Sequence, residues 1–523
     1  MMKTKILFLR LCCTVIVFAQ LLFIALAQGN PGISITAVQV PAPLLKGLPA
    51  NPLVRLDIVV KPGDHAISLG KIYCTLNAAA VRSLEKVEIF ASGPMDEFLN
   101  ARRFASVTPS SATLEIPLAA PLPPGMHRLW VSAVIKNDAN ADDIIDLRVT
   151  HISTDLQRYA VAQAPASFKR HIGVAIRKKG DDKVNTYRIP GMITTNKGTL
   201  LAVYDVRYNN SKDLPENIDV GLSRSTDGGK TWEPMKIIMD MGEPHENNGI
   251  GDPSILFDPV TKKIWVAALW SKGNRSIAGS EPGLSPDTTG QFVLVSSDDD
   301  GLTWSAPHSI TSQVKDPAWH LYFQGPGSGI AMQNGTLVFP SQYWDEQKKP
   351  GIPHSAIIYS EDHGKTWKSG TGAKSNTTEA QVVETRPGTL MLNMRDNRGM
   401  FRSVATTDDM GKTWREHHSS RSALPDPVCM GSFIKAEVNV KGKMKEVLFF
   451  SNPNSGFDRY NMTIKASMDM GETWLPAHQL LVDERGCYGY STLTKIDDNM
   501  IGILYEGTGD LYFIRIPVNE IIK

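Results

Sequence analysis

Three arginines interrupt strand-like runs at widely separated points of this chain. They are Arg188 in Tyr187-Arg188-Ile189-Pro190, Arg395 in Leu392-Asn393-Met394-Arg395-Asp396, and Arg459 in Phe457-Asp458-Arg459-Tyr460-Asn461. A guanidinium turned inward needs a counter-charge or an anionic ligand, because burying an uncompensated cation is expensive. Its forked donors match a planar carboxylate. One such arginine alone reads as a surface or ion-paired residue; three brought together describe a receptor for a single carboxylate. Metal or phosphate chemistry has no comparable signal. The 12 histidines show no metal-ligand spacing, and the glycine-rich turns belong to hairpins rather than to a strand-to-helix phosphate cradle, so no cofactor is expected.

The elements that must position these arginines are announced by repetition. The turn Ser/Thr-x-Asp-x-Gly-x-Thr-Trp occurs five times, at Ser225–Trp232, Ser297–Trp304, Ser360–Trp367, Thr407–Trp414 and Ser467–Trp474. Each follows an apolar run and supplies an acceptor for backbone N–H groups, a glycine for positive φ, and a tryptophan to pack beneath the turn. The Asp positions are 72, 63, 47 and 60 residues apart, the spacing of propeller blades. Six times a polar turn precedes a short apolar strand: Thr199–Asp205, Ile264–Trp270, Thr336–Gln342, Thr389–Arg395, Glu446–Asn452 and Met500–Glu506. Five of these lead to a third strand that ends in the Asp turn. The last, followed by Leu511–Val518, does not. Six blades are expected, with the Asp turns as scaffold and the functional residues at the opposite mouth.

The 523-residue chain is 42% hydrophobic and contains 33 Pro and 42 Gly, as suits two folded domains of short strands and turns. A formal net charge of +1 gives no reason to expect nucleic acid or an anionic membrane surface as partner. Residues 1–27 read as a signal peptide. Lys3, Lys5 and Arg10 form the basic start, Leu11–Leu26 is apolar, and Ala25-Leu26-Ala27 precedes cleavage at Gln28. The mature chain is then expected without a membrane span, exported to the periplasm or the exterior; an uncleaved anchor is the other reading of the same run. Its three cysteines, Cys74, Cys429 and Cys487, give no disulfide framework, and at most one bridge, within the propeller, is open. Residues 28–163 alternate apolar and polar residues in runs such as Leu53–Val60, Lys86–Ala91, Ala112–Pro117 and Arg128–Ile135, which predicts a small β-sandwich, either carbohydrate-binding or a spacer. A linker near Ala162–Ser167 leads to the propeller at 164–523. The fold class is therefore all-β, a six-bladed β-propeller preceded by a β-sandwich.

From about His171 to Lys523 the chain resembles the secreted bacterial exo-α-sialidase (neuraminidase) family, six-bladed propellers with Asp boxes. Tyr-Arg-Ile-Pro is similar to that family's first arginine motif. The resemblance implies that Arg188, Arg395 and Arg459 form the triad for the substrate carboxylate. It also implies that Asp213, six residues after Arg207-Tyr208, is the acid/base, with Arg207 a secondary substrate contact. Thr378-Glu379-Ala380-Gln381 resembles the stretch carrying the glutamate that partners the nucleophile, which assigns Glu379 over Glu384. Gly489-Tyr490-Ser491 assigns the nucleophile to Tyr490 over Tyr488. Asp252 in Asp252-Pro253-Ser254 resembles an aspartate facing the sugar's ring substituents, and Glu506 the acid that braces the first arginine.

A tyrosine nucleophile makes physical sense on a sialoside. The reacting carbon already bears a carboxylate, which would repel an anionic attacker, whereas a neutral phenol is not repelled and can lose its proton to Glu379 during attack. Trp270, Gln342 and Tyr343, at strand ends, are further candidates for lining pockets or packing the rim. The expected activity is retaining hydrolysis of terminal sialic acids from oligosaccharides, glycoproteins or glycolipids. The alternatives are a non-catalytic Asp-box propeller that binds glycans or proteins, and a sialidase that transfers to a sugar or releases an anhydro product.

Overall fold

The computed structural model describes residues 32–62, 66–155, 157–163, 168–273, 277–345 and 351–523. The expected signal peptide, the start of the first domain and most of the expected linker lie outside these residues. Two sheets make up the N-terminal part. A six-stranded sheet runs in the order Ala162–Gln163, Ile33–Gln39, Asn51–Val60, Gly125–Ile135, Leu84–Ser92 and Arg102–Val107; a four-stranded sheet runs Arg158–Ala160, Leu147–Thr154, Ile67–Leu76 and Thr113–Leu122. Their inward residues, among them Leu56, Ile58, Ile72, Ile116 and Val131, form one core between the sheets, as alternation requires. Trp130 is buried in a small cluster with Phe90 and Phe98 and donates its indole N–H to Ser92 Oγ.

Six four-stranded blades follow. Blade one is Thr186–Thr194, Leu200–Arg207, Ile218–Ser225 and Lys236–Met239; blade two is Ile250–Phe257, Ile264–Trp270, Gln291–Ser297 and His308–Ser309. Blade three is built on Leu321–Gln324, Leu337–Trp344, Pro353–Ser360 and Lys368–Ser369; blade four on Thr377–Arg386, Thr389–Asp396, Ser403–Thr407 and Arg415–Glu416. Blade five is Ser432–Val440, Lys443–Pro453, Met462–Ser467 and Gln479–Asp483. In blade six, Ser491–Asp497, Met500–Glu506 and Leu511–Pro517 are completed by Arg170–Arg177, which pairs antiparallel with Leu511–Pro517 and closes the ring. That is why the last blade carries no Asp turn. The first domain adds Leu44–Lys46 in parallel to Arg170–Arg177.

The Asp turns join third to fourth strands. In the first, Asp227 Oδ1 accepts from Ser225 Oγ (2.8 Å), Lys230 N and Thr231 N (3.0 Å each), while Oδ2 takes the Thr231 hydroxyl at 2.6 Å. Asp299, Asp362, Asp409 and Asp469 repeat the pattern. The tryptophans and glycines of these turns press on neighbouring blades: Trp232 meets Phe513 of blade six edge to face, and Trp367 meets Trp265 of blade two. Each turn thus fastens one blade to the one before it. The three described cysteines are unpaired, so no bridge joins Cys429 and Cys487.

Candidate active site

Antiparallel alternation decides where chemistry sits. If the third strand of a blade ends at the Asp-turn rim, the first strand begins, and the second ends, at the other rim. Arg188, Asp252 and Glu379 lie near the starts of first strands, Arg395 and Glu506 near the ends of second strands, and Asp213 and Arg459 in the loops that follow second strands. Tyr490 immediately precedes the first strand of blade six. All eight therefore gather at one mouth.

Pairing slips wherever a first strand presents one of these side chains. Register breaks between Arg188 and Gly191, between Gly251 and Ser254, and between Thr377 and Ala380. Such bulges re-aim side chains. Two carry backbone strain as well, with Ile189 at φ 55 and Asp252 at φ 56. Gly489, at φ 99, has no room for a side chain: a Cβ there would lie 2.8 Å from Cys429 Sγ and 2.9 Å from Arg459 Cδ. That close approach seats Tyr490 against its arginines.

A cavity of about 410 Å³ opens between these elements, lined by Arg188, Asp213, Asp252, Glu379, Arg395, Arg459 and Tyr490. Tyr490 is its hub. The phenol donates to Glu379 Oε1 and accepts from Arg395 NH1 at 2.9 Å, and the same NH1 reaches Glu379 Oε2 at 2.7 Å. Arg188 and Arg459 stand 5.2 and 5.7 Å from the Tyr490 ring centroid. Burial and the adjacent Glu379 carboxylate push the phenol well above its ordinary pKa, against the pull of Arg395 and Arg188. A free phenolate is therefore disfavoured.

The arginines differ in how they are compensated. Arg188 bonds Glu506 (Nε to Oε1 3.0 Å), whose carboxylate also takes the amides of Ile189 and Tyr490 at 2.9 Å each. Arg395 is paired with Glu379, yet its Nε is buried without a hydrogen-bond partner among the described residues. Arg459 donates to the Tyr488 and Val428 carbonyls, at 2.7 and 3.1 Å, and has no carboxylate partner among the described residues. The mouth thus holds cationic capacity that an anionic ligand would satisfy.

Asp213 is exposed over 68% of its side chain and lies 2.7 Å from Arg207 NH1 and 3.6 Å from Arg188 NH1. Burial raises its pKa, but Arg207 and Arg188 outweigh this and hold the carboxyl below its usual range. Arg207 itself does not line the cavity. Its side chain is 2% exposed, clamped on Asp205 at 2.8 Å, so it supports Asp213 from behind instead of offering a direct substrate contact. Glu506 is likewise fully buried behind Arg188. Asp205 escaped the sequence reading although it sits two residues before Arg207 on one strand face; its Oδ1 also takes the Asp252 amide at 2.8 Å. Burial and the carboxylates of Asp205, Asp213 and Glu379 drive Asp252 well above the ordinary carboxyl range.

Gln342 lines the cavity with Phe323, Trp344, Ile277 and Ala278. Tyr343 does not: it stacks between Trp319, 3.9 Å away, and His354. Trp270 is not a lining residue and bonds Asn248 Oδ1. Strand alternation marks Gln342 and Trp344 as partners on one face and Tyr343 as their opposite.

Comparison with known proteins places the chain among sialidases. A family model described as a BNR repeat-like domain matches residues 189–484. A sialidase of Bacteroides fragilis (strain YCH46) is 51% identical over 411 residues, spanning 76% of this chain and 75% of the relative. A sialidase of Micromonospora viridifaciens is 34% identical over 344 residues, 64% of this chain and 52% of that protein. Among solved structures, a Hadza microbial sialidase aligns with a TM-score of 0.86 and 39% identity, over 93% of this chain and 100% of the other. The intramolecular trans-sialidase of Ruminococcus gnavus shares the fold, with a TM-score of 0.57 at 20% identity over 65% of this chain and 96% of that one.

Proposed function

The chain belongs to the bacterial exo-sialidases with BNR (Asp-box) repeats, glycoside hydrolases of sialylated glycoconjugates, and on that premise we propose that it cleaves by retention with Tyr490 as nucleophile. The observation that carries this reading is the Tyr490 hydroxyl held between Glu379 and Arg395 while Arg188 and Arg459 flank its ring. Sialidases with a tyrosine nucleophile are a recognised exception to the two-carboxylate rule of glycosidases.

The three arginines hold the substrate carboxylate, which places the anomeric carbon over Tyr490. The phenol oxygen bonds to that carbon as its proton passes to Glu379; the carbon–oxygen bond to the leaving group breaks, and Asp213 supplies the leaving oxygen with a proton. In the second half, Asp213 takes a proton from water as the water oxygen attacks the anomeric carbon, the bond to Tyr490 breaks, and Glu379 returns the proton to the phenol. Two inversions give net retention. Arg395 stabilises negative charge on the phenol oxygen throughout. Asp252, favoured in its protonated form by burial, offers a hydrogen-bond donor to a polar substituent of the sugar.

Tyr490→Phe removes only the attacking oxygen. Its kcat on a sialoside should fall by roughly 10³-fold or more, as loss of a positioned catalytic group does. NMR of early product should show the α-anomer; the β-anomer first, or near-wild-type turnover by Tyr490→Phe, would overturn the reading. A purely binding propeller would need no Tyr–Glu pair, and product analysis with an added sugar acceptor separates hydrolysis from transfer. Export rests on the basic start and apolar run of residues 1–27 and is checked by whether the mature chain begins at Gln28. Among the described residues no helix is long and apolar enough to cross a membrane.

A further inference from the structure

Away from the active mouth, the seam between blades four and five brings together His417, His418 and Glu472. The two histidines directly follow the outermost strand of blade four, Arg415–Glu416, and Glu472 sits in the Asp turn of blade five. One carboxylate oxygen of Glu472 lies 3.5 Å from His417 Nε2, and the other lies 3.5 Å from His418 Nδ1. All three groups offer ligand atoms within 4.8 Å of one another, and they are the one such trio of His, Cys, Asp or Glu among the described residues. A tetrahedral Zn²⁺ with bonds of ~2.1 Å holds its ligand atoms ~3.4 Å apart. The trio's ligand atoms, within 4.8 Å of one another, need only side-chain adjustment to reach that spacing.

Of the remaining ring nitrogens, one fixes the tautomer this requires and the other permits it. His418 Nε2 is 3.0 Å from the Glu472 carbonyl oxygen, a pure acceptor, so Nε2 carries the hydrogen and Nδ1 presents its lone pair to the carboxylate side. His417 Nδ1 is 2.8 Å from Ser419 Oγ and 3.4 Å from the Ser419 amide nitrogen, which donates to it; ligation through Nε2 uses the tautomer in which Nδ1 donates to Oγ and gives up that longer amide bond. Metal-bound histidines use such outer partners to orient the ring. The rings lie with centroids 4.4 Å apart and both face one carboxylate, so charging both would set like charges side by side. One divalent cation would engage all three groups at once.

We propose that His417 Nε2, His418 Nδ1 and Glu472 form a Zn²⁺-type site, open to water at a fourth position, that clasps blade four to blade five. Two imidazoles and a carboxylate suit Zn²⁺ and its first-row neighbours, whereas Ca²⁺ and Mg²⁺ demand oxygen ligands. The site is separate from the sialic acid cavity. The histidine spacing gave no sign of it because the third ligand lies 54 residues beyond His418.

The test is calorimetric titration of untagged, chelator-treated full chain with Zn²⁺, alongside visible absorption of the Co²⁺ form and the Tm with and without Zn²⁺. One Zn²⁺ per chain, an intense Co²⁺ band of low coordination number, a higher Tm with Zn²⁺ and no response to Ca²⁺ or Mg²⁺ are expected. Glu472→Gln and His418→Ala, both at side chains more than half exposed, should abolish the Co²⁺ band with sialidase turnover unchanged. Ser419→Ala, which touches no metal, should weaken binding about tenfold through loss of orientation. Absence of binding, or binding that survives Glu472→Gln and His418→Ala, overturns the proposal.

Discussion

Glu506 serves three groups with one carboxylate: the Arg188 guanidinium and the amides of Ile189 and Tyr490. Glu506→Gln keeps the shape but removes the charge and turns an amide donor toward other donors. It should cost about 3–5 kcal/mol of stability, as breaking a buried ion pair does, and denaturant unfolding reads this directly. Asp213 poses the opposite problem, because its neighbours hold the carboxyl below its usual range while the acid role proposed for it needs the proton. kcat/KM should therefore rise as pH falls toward the carboxylate range and decline above it. Asp213→Asn should lose ~10²-fold or more on a sugar leaving group but far less on an aryl leaving group that departs without a proton. Equal losses on both substrates would remove Asp213 from the acid role. At this scale, the residues brought to the cavity wall were legible in the sequence through their motif neighbours. Arg207 was misplaced because sequence distance from Asp213 does not say which of two side chains faces solvent. Asp205 was missed because it is a support hidden behind a support. The Tyr343 and Trp344 positions were separable by simple alternation.

Strands and turns divide the labour by rim. The Asp turns were readable because each encodes its own hydrogen bonds locally; the register slips at Arg188, Asp252 and Glu379 were not, because a bulge depends on the partner strand. The turns also contribute an acid-sensitive share of the stability. Hydrogen bonds from the Thr303 hydroxyl and amide hold Asp299 at about 2, and at Asp362 the Thr366 bonds outweigh burial to give about 2. Since both carboxyls titrate near ~3.9 in an unfolded chain, their stabilisation is fully present above that value and is lost as pH falls toward 2. Tm should be flat in this respect above ~pH 5 and drop below ~pH 4, and replacing Asp299 and Asp362 by Asn should flatten the drop. A slope unchanged by those substitutions would place the acid sensitivity elsewhere.

At the scale of the whole molecule, the sandwich and the propeller share a strand. In Leu44–Lys46, Leu44 points into the core of the first domain and Leu45 into the core between blades five and six, both fully buried. Arg515 adds a bond to Asp142 at 2.9 Å across the same seam. Leu45→Ala should cost about 2–5 kcal/mol and lower the melting of both domains together in calorimetry. Two independent transitions, with only one moved, would show that the domains melt separately. The composition gave no hint of this join, since three residues from one domain cannot be told from a loop by pattern. Ring closure has a further consequence. Arg170–Arg177 precedes blades one to five in the sequence, and its partner Leu511–Pro517 follows them. The contact that completes the ring is therefore among the most non-local of the fold, and the loop it closes contains every blade between.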